Sequence, residues 1–427
     1  MSSEAEMPAF ARSALLLFLA LRAGDLVNVA AGLWFVPRYV SPSDIGAVLP
    51  VTSFATFLAL PVFAFAMVMM RESACLYAAG ERGKVKSLLR GMFAVFAALL
   101  VAFLALAAVV VPRFLGAMRV SDASVGVLAV SAAFLGCLAP VYTDALQALK
   151  RFAPLAAVEL GGSVVRFLVM LAVMPVKALA GYFAGQVALP LFRIIGSVLA
   201  LRRDLAVPPE PYWNAAAARR IFLAFLAVVA YQAAPMAASL VEQTLLRTSL
   251  PPETSAGYYV VSRFADFLHY LTFPLLLVMF PYTAEAAQQS RSTRPFVLKC
   301  SAVAVASAAV MLVIYSLWGR ELLGFVPTGD CYAEYVRYMP WLVLITVLTT
   351  CQVFYTNAEV SAGRYGFLCW LVPLHLAYPA LLHLAVKGGH VSSLDGFLLC
   401  FGAASALRFV FAVVGLLRGS STSKSKV

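Results

Sequence analysis

Five arginines lie inside long apolar stretches of the sequence, where a charged side chain is costly. They are Arg22, Arg166, Arg193, Arg263 and Arg408. A guanidinium group presents its donors in a planar fork that matches a phosphate or a carboxylate, and it stays charged in apolar surroundings. These arginines are therefore the first candidates for binding an anionic ligand.

Two segments place an arginine three residues before an aspartate. LRAGDLVN contains Arg22, Asp25 and Asn28, and YVVSRFADFLHY contains Tyr259, Arg263, Asp266 and Tyr270. Spacings of three and four put each set on one helical face. Either these faces line a substrate-binding cavity, or each arginine only neutralises its own aspartate. A pair that only neutralised itself would be cheaper as two apolar residues, which favours the cavity.

Further polar residues within apolar stretches are secondary candidates for a cavity or a gate. Glu159 and Arg166 share a helical face with two small residues, so they indicate either a packing seam with a charge pair or a cavity wall. Gln232 and Glu242 belong to one polar stripe, and Glu242 either pairs with Arg263 or lines an outer opening. The complete secondary set is Glu159, Arg166, Arg193, Gln232, Glu242 and Arg408.

The elements that carry these residues are predicted to be membrane-spanning helices. The 427 residues are 63% hydrophobic and only 12% charged, whereas a soluble domain is about half apolar and a quarter charged. Apolar runs of about 20 residues, the length that crosses a bilayer, recur along the chain. We expect an all-α integral membrane protein with about 12 transmembrane helices.

Several classes of function are disfavoured by the residue pattern. The net charge of +12 comes from basic residues in short loops, a placement that sets membrane topology and does not indicate nucleic acid. Seven cysteines are scattered without a CxxC pair, and neither a Walker loop nor an HExxH or GxSxG motif is present. We therefore expect no metal site, no cofactor and no enzymatic activity.

Topology follows from the distribution of basic residues over the predicted loops. Nineteen Lys and Arg residues fall on one side of the helix map, eight on the other and five within helices. The positive-inside rule then places both termini in the cytoplasm. We expect a multi-pass protein of the plasma (inner) membrane.

The N-terminal and C-terminal halves of the chain, which a polar segment separates, resemble each other in sequence. Gly46 aligns with Gly257 and Arg193 with Arg408, at separations of 211 and 215 residues. Because each half has six predicted helices, both insert the same way up, as parallel repeats do. We expect an N-terminal six-helix bundle over 1–205, a cytoplasmic linker over 206–216, a C-terminal bundle over 217–418 and a disordered tail over 419–427.

Three short elements resemble the polysaccharide-transporter branch of the multidrug/oligosaccharidyl-lipid/polysaccharide (MOP) superfamily. They are a Ser-Pro-acidic-x-Gly element after the first helix, a Gly-Tyr-Tyr element that opens the eighth and a Phe-Pro that closes it, here Ser41–Gly46, Gly257–Tyr259 and Phe280-Pro281. The resemblance implies a MATE-like, V-shaped cavity between two bundles. The related lipid II flippases carry arginines at places comparable to Arg22 and Arg263, but they have a further pair of helices.

The resemblance implies a flippase that moves polyprenyl-pyrophosphate-linked oligosaccharide, or another anionic lipid-linked glycan, by alternating access. Arg22 and Arg263 would bind the pyrophosphate, and Asp25 and Asp266 would orient them and are candidates for coupling to H⁺ or Na⁺.

Expected partners are the glycan substrate and membrane lipids, with a glycan polymerase or glycosyltransferases as further candidates. We expect a monomer. The alternatives are a cation-coupled multidrug exporter of the same superfamily and a non-transporting scaffold, which would not need five intramembrane arginines.

Overall fold

The computed structural model describes residues 18–149, 151–204, 206–288, 292–327, 329–362 and 364–418. Across these residues the chain is helical almost throughout, and they contain no β-strand. Such a backbone suits a bilayer, because each helix satisfies its own N–H and C=O groups where water is absent. Residues 1–17 and the predicted tail 419–427 lie outside the described residues.

Twelve long helices follow one another along the described chain. The first seven are α1 (Phe18–Tyr39), α2 (Val48–Leu58 and Leu60–Ala78), α3 (Arg82–Ala117), α4 (Ala123–Ala148), α5 (Phe152–Val173), α6 (Ala178–Leu201) and α7 (Ala215–Ser249). The remaining helices are α8 (Pro252–Gln288), α9 (Arg294–Gly324), α10 (Met339–Ser361), α11 (Leu368–Lys387) and α12 (Leu394–Arg418). A 3₁₀ helix, Gly329–Tyr338, leads into α10.

Ten of the described helices are long and apolar enough to cross a membrane, and the bent α2 brings the number to eleven. The two parts of α2 meet at an angle of 58°. Pro61 lies directly after this break, and a proline cannot donate the backbone hydrogen bond that would continue the helix. The all-helical, multi-pass architecture predicted from the sequence is confirmed.

Two irregular turns coincide with sequence features. In the Ser41–Gly46 element, Ser41 caps the one-turn helix Pro42–Ile45, and its Oγ accepts a hydrogen bond from the Asp44 N–H at 3.2 Å. Ala31–Phe35 is a π-helical turn within α1, a feature that often occurs at functional sites. It begins three residues after Asn28. The Phe280-Pro281 element was expected to close the eighth helix. It does not end the helix, because α8 continues to Gln288.

The chain forms two compact units, residues 1–236 and 237–427. In the first unit α4 packs against α2, α3 and α6, and α5 packs against α6. In the second unit α10 packs against α8, α9 and α12, and α11 packs against α12. The fourth helix of each set of six is thus the central one, and the order of packing is the same. This shared order agrees with the predicted internal repeat, whereas the predicted boundary at 206–216 stays a prediction.

Candidate functional site

The first unit contains a polar cluster where α1 meets α5. On α1, Nη1 of Arg22 forms an ion pair with Oδ2 of Asp25 at 2.9 Å. Asn28 receives a hydrogen bond on Oδ1 from Nη1 of Arg166 at 2.8 Å, and its Nδ2 donates to Oγ of Ser163 at 3.3 Å. Asn28 therefore joins α1 to the fifth helix, and the Arg22–Asp25 pair lies about one helical turn before it on α1.

A second ion pair of this cluster joins α5 to α6. Nη2 of Arg193 lies 2.6 Å from Oε2 of Glu159, and the charge of Arg193 also acts on Asp25. Gly162 allows this approach, since a Cβ there would lie 3.2 Å from Cγ of Arg193. The helices thus pack through small residues with a charge pair between them, which agrees with the packing seam, one of the two alternatives that the sequence left open for α5.

Arg193 also borders a half-open cavity of the first unit. The cavity has a volume of about 220 Å³, and α2, α4 and α6 form its walls. Most of the lining is alanine and other small apolar residues, and the polar side chains on it are Thr52, Thr56, Gln186 and Arg193. The arginine therefore stands between a carboxylate on one side and a largely apolar space on the other.

In the second unit, α8 carries an arrangement like that of α1. Nη1 of Arg263 pairs with Oδ2 of Asp266 at 2.9 Å, and its guanidinium lies over the ring of Tyr259 at 5.1 Å. Tyr259 is buried, so its ring forms a fixed surface against which the guanidinium packs. Tyr270 is half-buried and packs against the ring of Phe267 at 6.2 Å. The spacing of three found in the sequence thus produces a helix-internal ion pair in both units.

Arg408 has a very different environment from Arg263. Only 7% of it is exposed, and its guanidinium makes three contacts. Nη1 bonds Nε2 of His375 at 2.9 Å, Nη2 donates to Oγ of Ser405 at 3.0 Å, and Nε donates to the carbonyl of Ala404 at 3.2 Å. The bond to His375 ties α12 to α11, whereas the other two bonds lie within α12, so Arg408 has a structural role in the second unit.

The two residues of the polar stripe predicted on α7, Gln232 and Glu242, have different surroundings. Glu242 is buried and accepts a hydrogen bond from the Tyr378 hydroxyl at 3.2 Å. Among the described residues, its carboxylate forms no ion pair with Arg263. Gln232 is half-buried on the same helix. Glu242 therefore belongs with the α11–α12 contacts and not with the ion pair of α8.

Arg193 and Arg408 occupy equivalent places in the repeat. Each lies on the sixth helix of its set and reaches a polar side chain on the fifth, Glu159 in one case and His375 in the other. Their equivalence was visible in the sequence, but their partners were not. Both arginines join neighbouring helices within a unit.

The linker, residues 206–216, makes contacts that the sequence did not indicate. It lies along the start of α3, where Nζ of Lys86 donates to the Val207 carbonyl at 2.7 Å and Nε1 of Trp213 donates to the Ser87 carbonyl at 3.2 Å. Gly91 makes room for the indole, since a Cβ there would fall within the Trp213 ring. The linker is therefore docked on the first unit.

A charged contact at the end of α2 reinforces this docking. Oε2 of Glu72 accepts hydrogen bonds from the Tyr212 hydroxyl at 2.7 Å and from Nη2 of Arg220 at 2.8 Å. Partial burial, together with the adjacent Glu72 carboxylate, raises the pKa of Tyr212. The adjacent aromatic pair in a polar segment, Tyr212 and Trp213, was the signal in the sequence that could have indicated a packed linker.

Comparison with solved structures supplies the fold family. An inward-facing multidrug-resistance MATE transporter of the MOP superfamily superposes with a TM-score of 0.66 over 97% of this chain and 100% of that one, at 14% identity. An outward-facing MATE structure gives 0.61 over 97% of each chain at 13% identity. The chain has the MATE/MOP transporter fold. Another structure with this fold, a MOP superfamily transporter from Pyrococcus furiosus, gives 0.62 over 98% of this chain and 96% of that one at 14% identity.

Comparison by sequence, in contrast to comparison by structure, found no match. No protein-family model matches the chain, and no curated protein matches it. The MATE/MOP fold is thus established through the arrangement of helices, at identities too low to carry a substrate from one protein to another. The described residues contain no group of three or more His, Cys, Asp or Glu side chains that could hold a metal ion.

Proposed function

We propose that this chain is a membrane transporter that flips a polyprenyl-pyrophosphate-linked oligosaccharide, or another anionic lipid-linked glycan, by alternating access. The observation that carries the proposal is the pair of accessible arginines, Arg22 and Arg263. Their side chains are 25% and 29% exposed, and those of Asp25 and Asp266 are 28% and 27% exposed. The Arg-x-x-Asp segment of each unit therefore presents an arginine that an anion can reach.

The chemistry of these arginines suits a pyrophosphate. Each ion pair joins one terminal nitrogen to one carboxylate oxygen, whereas a guanidinium can donate from three nitrogens. A pyrophosphate has several anionic oxygens and can bind the fork in a bidentate manner, so it can compete with the aspartate carboxylate. The aspartate then serves as the counter-ion that keeps each arginine oriented between transport cycles.

Charge also favours the proposal over its alternative, a cation-coupled multidrug exporter. A cationic drug is attracted by unpaired carboxylates and by aromatic faces. Here Asp25 and Asp266 are already paired, and the ring of Tyr259 is covered by Arg263. Binding-pocket charge varies within this fold, since the Pyrococcus furiosus structure is described as having a binding pocket of reverse polarity that suggests a different function.

Flipping by purified protein in lipid vesicles provides the test. The probe is a fluorescent polyprenyl-pyrophosphate oligosaccharide in the outer leaflet, and its loss of accessibility to an impermeant quencher reports flipping. Arg22→Ala or Arg263→Ala is expected to slow flipping at least tenfold, because a hydrogen bond between charged groups contributes about 1.5–3 kcal/mol. Lysine at either position is expected to rescue in part, since it keeps the charge and loses the fork.

Two comparisons make the outcome decisive. Arg38→Ala removes an exposed arginine from the end of the same helix α1 and is expected to leave flipping unchanged. The double variants Arg22→Leu with Asp25→Leu, and Arg263→Leu with Asp266→Leu, remove each ion pair without stranding a charge. Full flipping by either double variant would show that the pair only neutralises itself. Transport of ethidium instead of the glycan probe would favour the multidrug exporter.

The proposal extends to the location of the protein and to the coupling of transport, and the same assay tests the coupling. We place the protein in the plasma membrane with both termini in the cytoplasm, where glycosyltransferases would supply its substrate and a glycan polymerase would use the flipped product. If Asp25 and Asp266 couple transport to H⁺ or Na⁺, flipping into vesicles should depend on a pH or Na⁺ gradient. Their replacement by asparagine should remove that dependence.

A further inference from the structure

A groove on the first unit lies outside all the residues discussed for transport. It has a volume of about 310 Å³ and lies where the start of α3 meets the ends of α4 and α6. Its lining consists of two cations, one tyrosine and four apolar side chains: Lys86, Leu89, Arg90, Phe93, Tyr142, Val198 and Leu201. The groove therefore combines positive charge with apolar surface.

The two cations are placed to bind one anion. Lys86 and Arg90 are one helical turn apart on the same face of α3. Lys86 donates one hydrogen bond, to the Val207 carbonyl, and an ammonium group has three donors. Arg90 is exposed and has no hydrogen bond or ion pair with any residue that the structure describes. No acidic side chain is among the described residues that line the groove.

The apolar part of the groove continues along the same helix. Phe93 is 69% exposed and Val198 is 44% exposed, as expected for side chains that face lipid. With 36 residues, α3 is about 54 Å long, against about 30 Å of hydrocarbon. About eight residues therefore project at each end, and Arg90, the ninth residue of the helix, lies at the boundary between headgroups and hydrocarbon.

We propose that this groove binds an anionic phospholipid from the leaflet on the more basic side of the protein. The headgroup phosphate lies between Lys86 and Arg90, and an acyl chain follows Phe93 and Val198. Basic recesses between membrane helices are known to bind anionic headgroups on the cytoplasmic side. A free phosphate would use only the cations and would leave the adjoining apolar surface uncovered.

Native mass spectrometry of the purified protein in detergent tests the assignment. The probes are phosphatidylglycerol, phosphatidylcholine with the same acyl chains, and glycerol phosphate. We expect one phosphatidylglycerol to be retained in preference to phosphatidylcholine, and no displacement by glycerol phosphate at an equal concentration. Arg90→Gln is expected to weaken its retention about fivefold and Lys86→Gln with Arg90→Gln about thirtyfold, since each basic residue near a membrane surface contributes about 1 kcal/mol.

A matched variant separates the groove from general surface charge. Arg113→Gln removes an exposed arginine near the other end of α3 and should not change lipid retention. Equal binding of the two phospholipids by the unmodified protein would overturn the proposal, because the cations would then play no part. Displacement by glycerol phosphate would identify a phosphate site instead of a lipid site. Equal loss in Arg113→Gln would assign the effect to net charge.

Discussion

The arginines of the second unit illustrate how the environment of a residue decides its role. Arg263 is partly exposed and bonded to an aspartate on its own helix, whereas Arg408 is buried and bonded to α11 and to its own turn. A buried charge is tolerated only when its donors are satisfied. The proposed anion binding therefore belongs to Arg263, whereas Arg408 attaches one helix to another.

This assignment predicts that Arg408→Lys destabilises the protein. A lysine is shorter and cannot reach His375, Ser405 and the Ala404 carbonyl together, so buried groups lose their partners. We expect the free energy of unfolding to fall by about 2–3 kcal/mol, measured as a lower melting temperature of the purified protein in detergent. Arg320→Lys, at an exposed position of the same unit, serves as the control. Equal melting temperatures would contradict the structural role.

At the scale of the elements, the linker has contacts that the sequence did not predict. Asn214 ends it by capping α7, since its Oδ1 accepts a hydrogen bond from the Ala217 N–H at 2.8 Å. Together with Glu72 and the indole of Trp213, this cap holds the linker at both the start of α7 and the start of α3. A segment expected only to connect two bundles thus contributes to the stability of one.

Gly91→Val is predicted to release the linker from α3. A valine side chain would occupy the position of the Trp213 indole and would remove the hydrogen bond to the Ser87 carbonyl. Limited proteolysis with chymotrypsin should then cut after Tyr212 or Trp213 several times faster than in the unmodified protein.

The control for this experiment lies on the same helix. A Cβ on Gly116, also in α3, would have no neighbour within 4 Å, so Gly116→Val should leave the cleavage rate unchanged. Faster cleavage in both variants would indicate a general loosening of α3. Unchanged cleavage in Gly91→Val would show that the linker does not depend on the contact between Gly91 and Trp213.

For the whole molecule, the basic-residue bias predicts which helix ends face the cytoplasm, and two native cysteines can report it. Cys331 and Cys369 are both exposed; Cys331 lies in the 3₁₀ helix that precedes α10, and Cys369 lies at the start of α11, which follows it. The predicted topology places Cys331 outside and Cys369 inside. Variants that keep one cysteine should react with an impermeant maleimide in intact cells at Cys331, and at Cys369 only after permeabilisation. The reverse pattern would invert the topology.

The sequence by itself determined the helical architecture and the local ion pairs. Apolar runs long enough to cross a bilayer predict the spans directly, and the helical period places Arg22 beside Asp25 and Arg263 beside Asp266 whatever surrounds them. The order of helices and the repeat were likewise predictable, because Arg193 and Arg408 recur at corresponding positions.

Only the tertiary structure decided which helices the other charges join. Glu159 pairs with Arg193 and Arg166 bonds Asn28, while Glu242 bonds Tyr378 and the linker docks through Trp213. These partners are far apart in the sequence, and their contacts depend on how each helix is rotated and how far it is shifted against its neighbour. The helical period describes a single helix and contains neither quantity, so packing alone selected these partners.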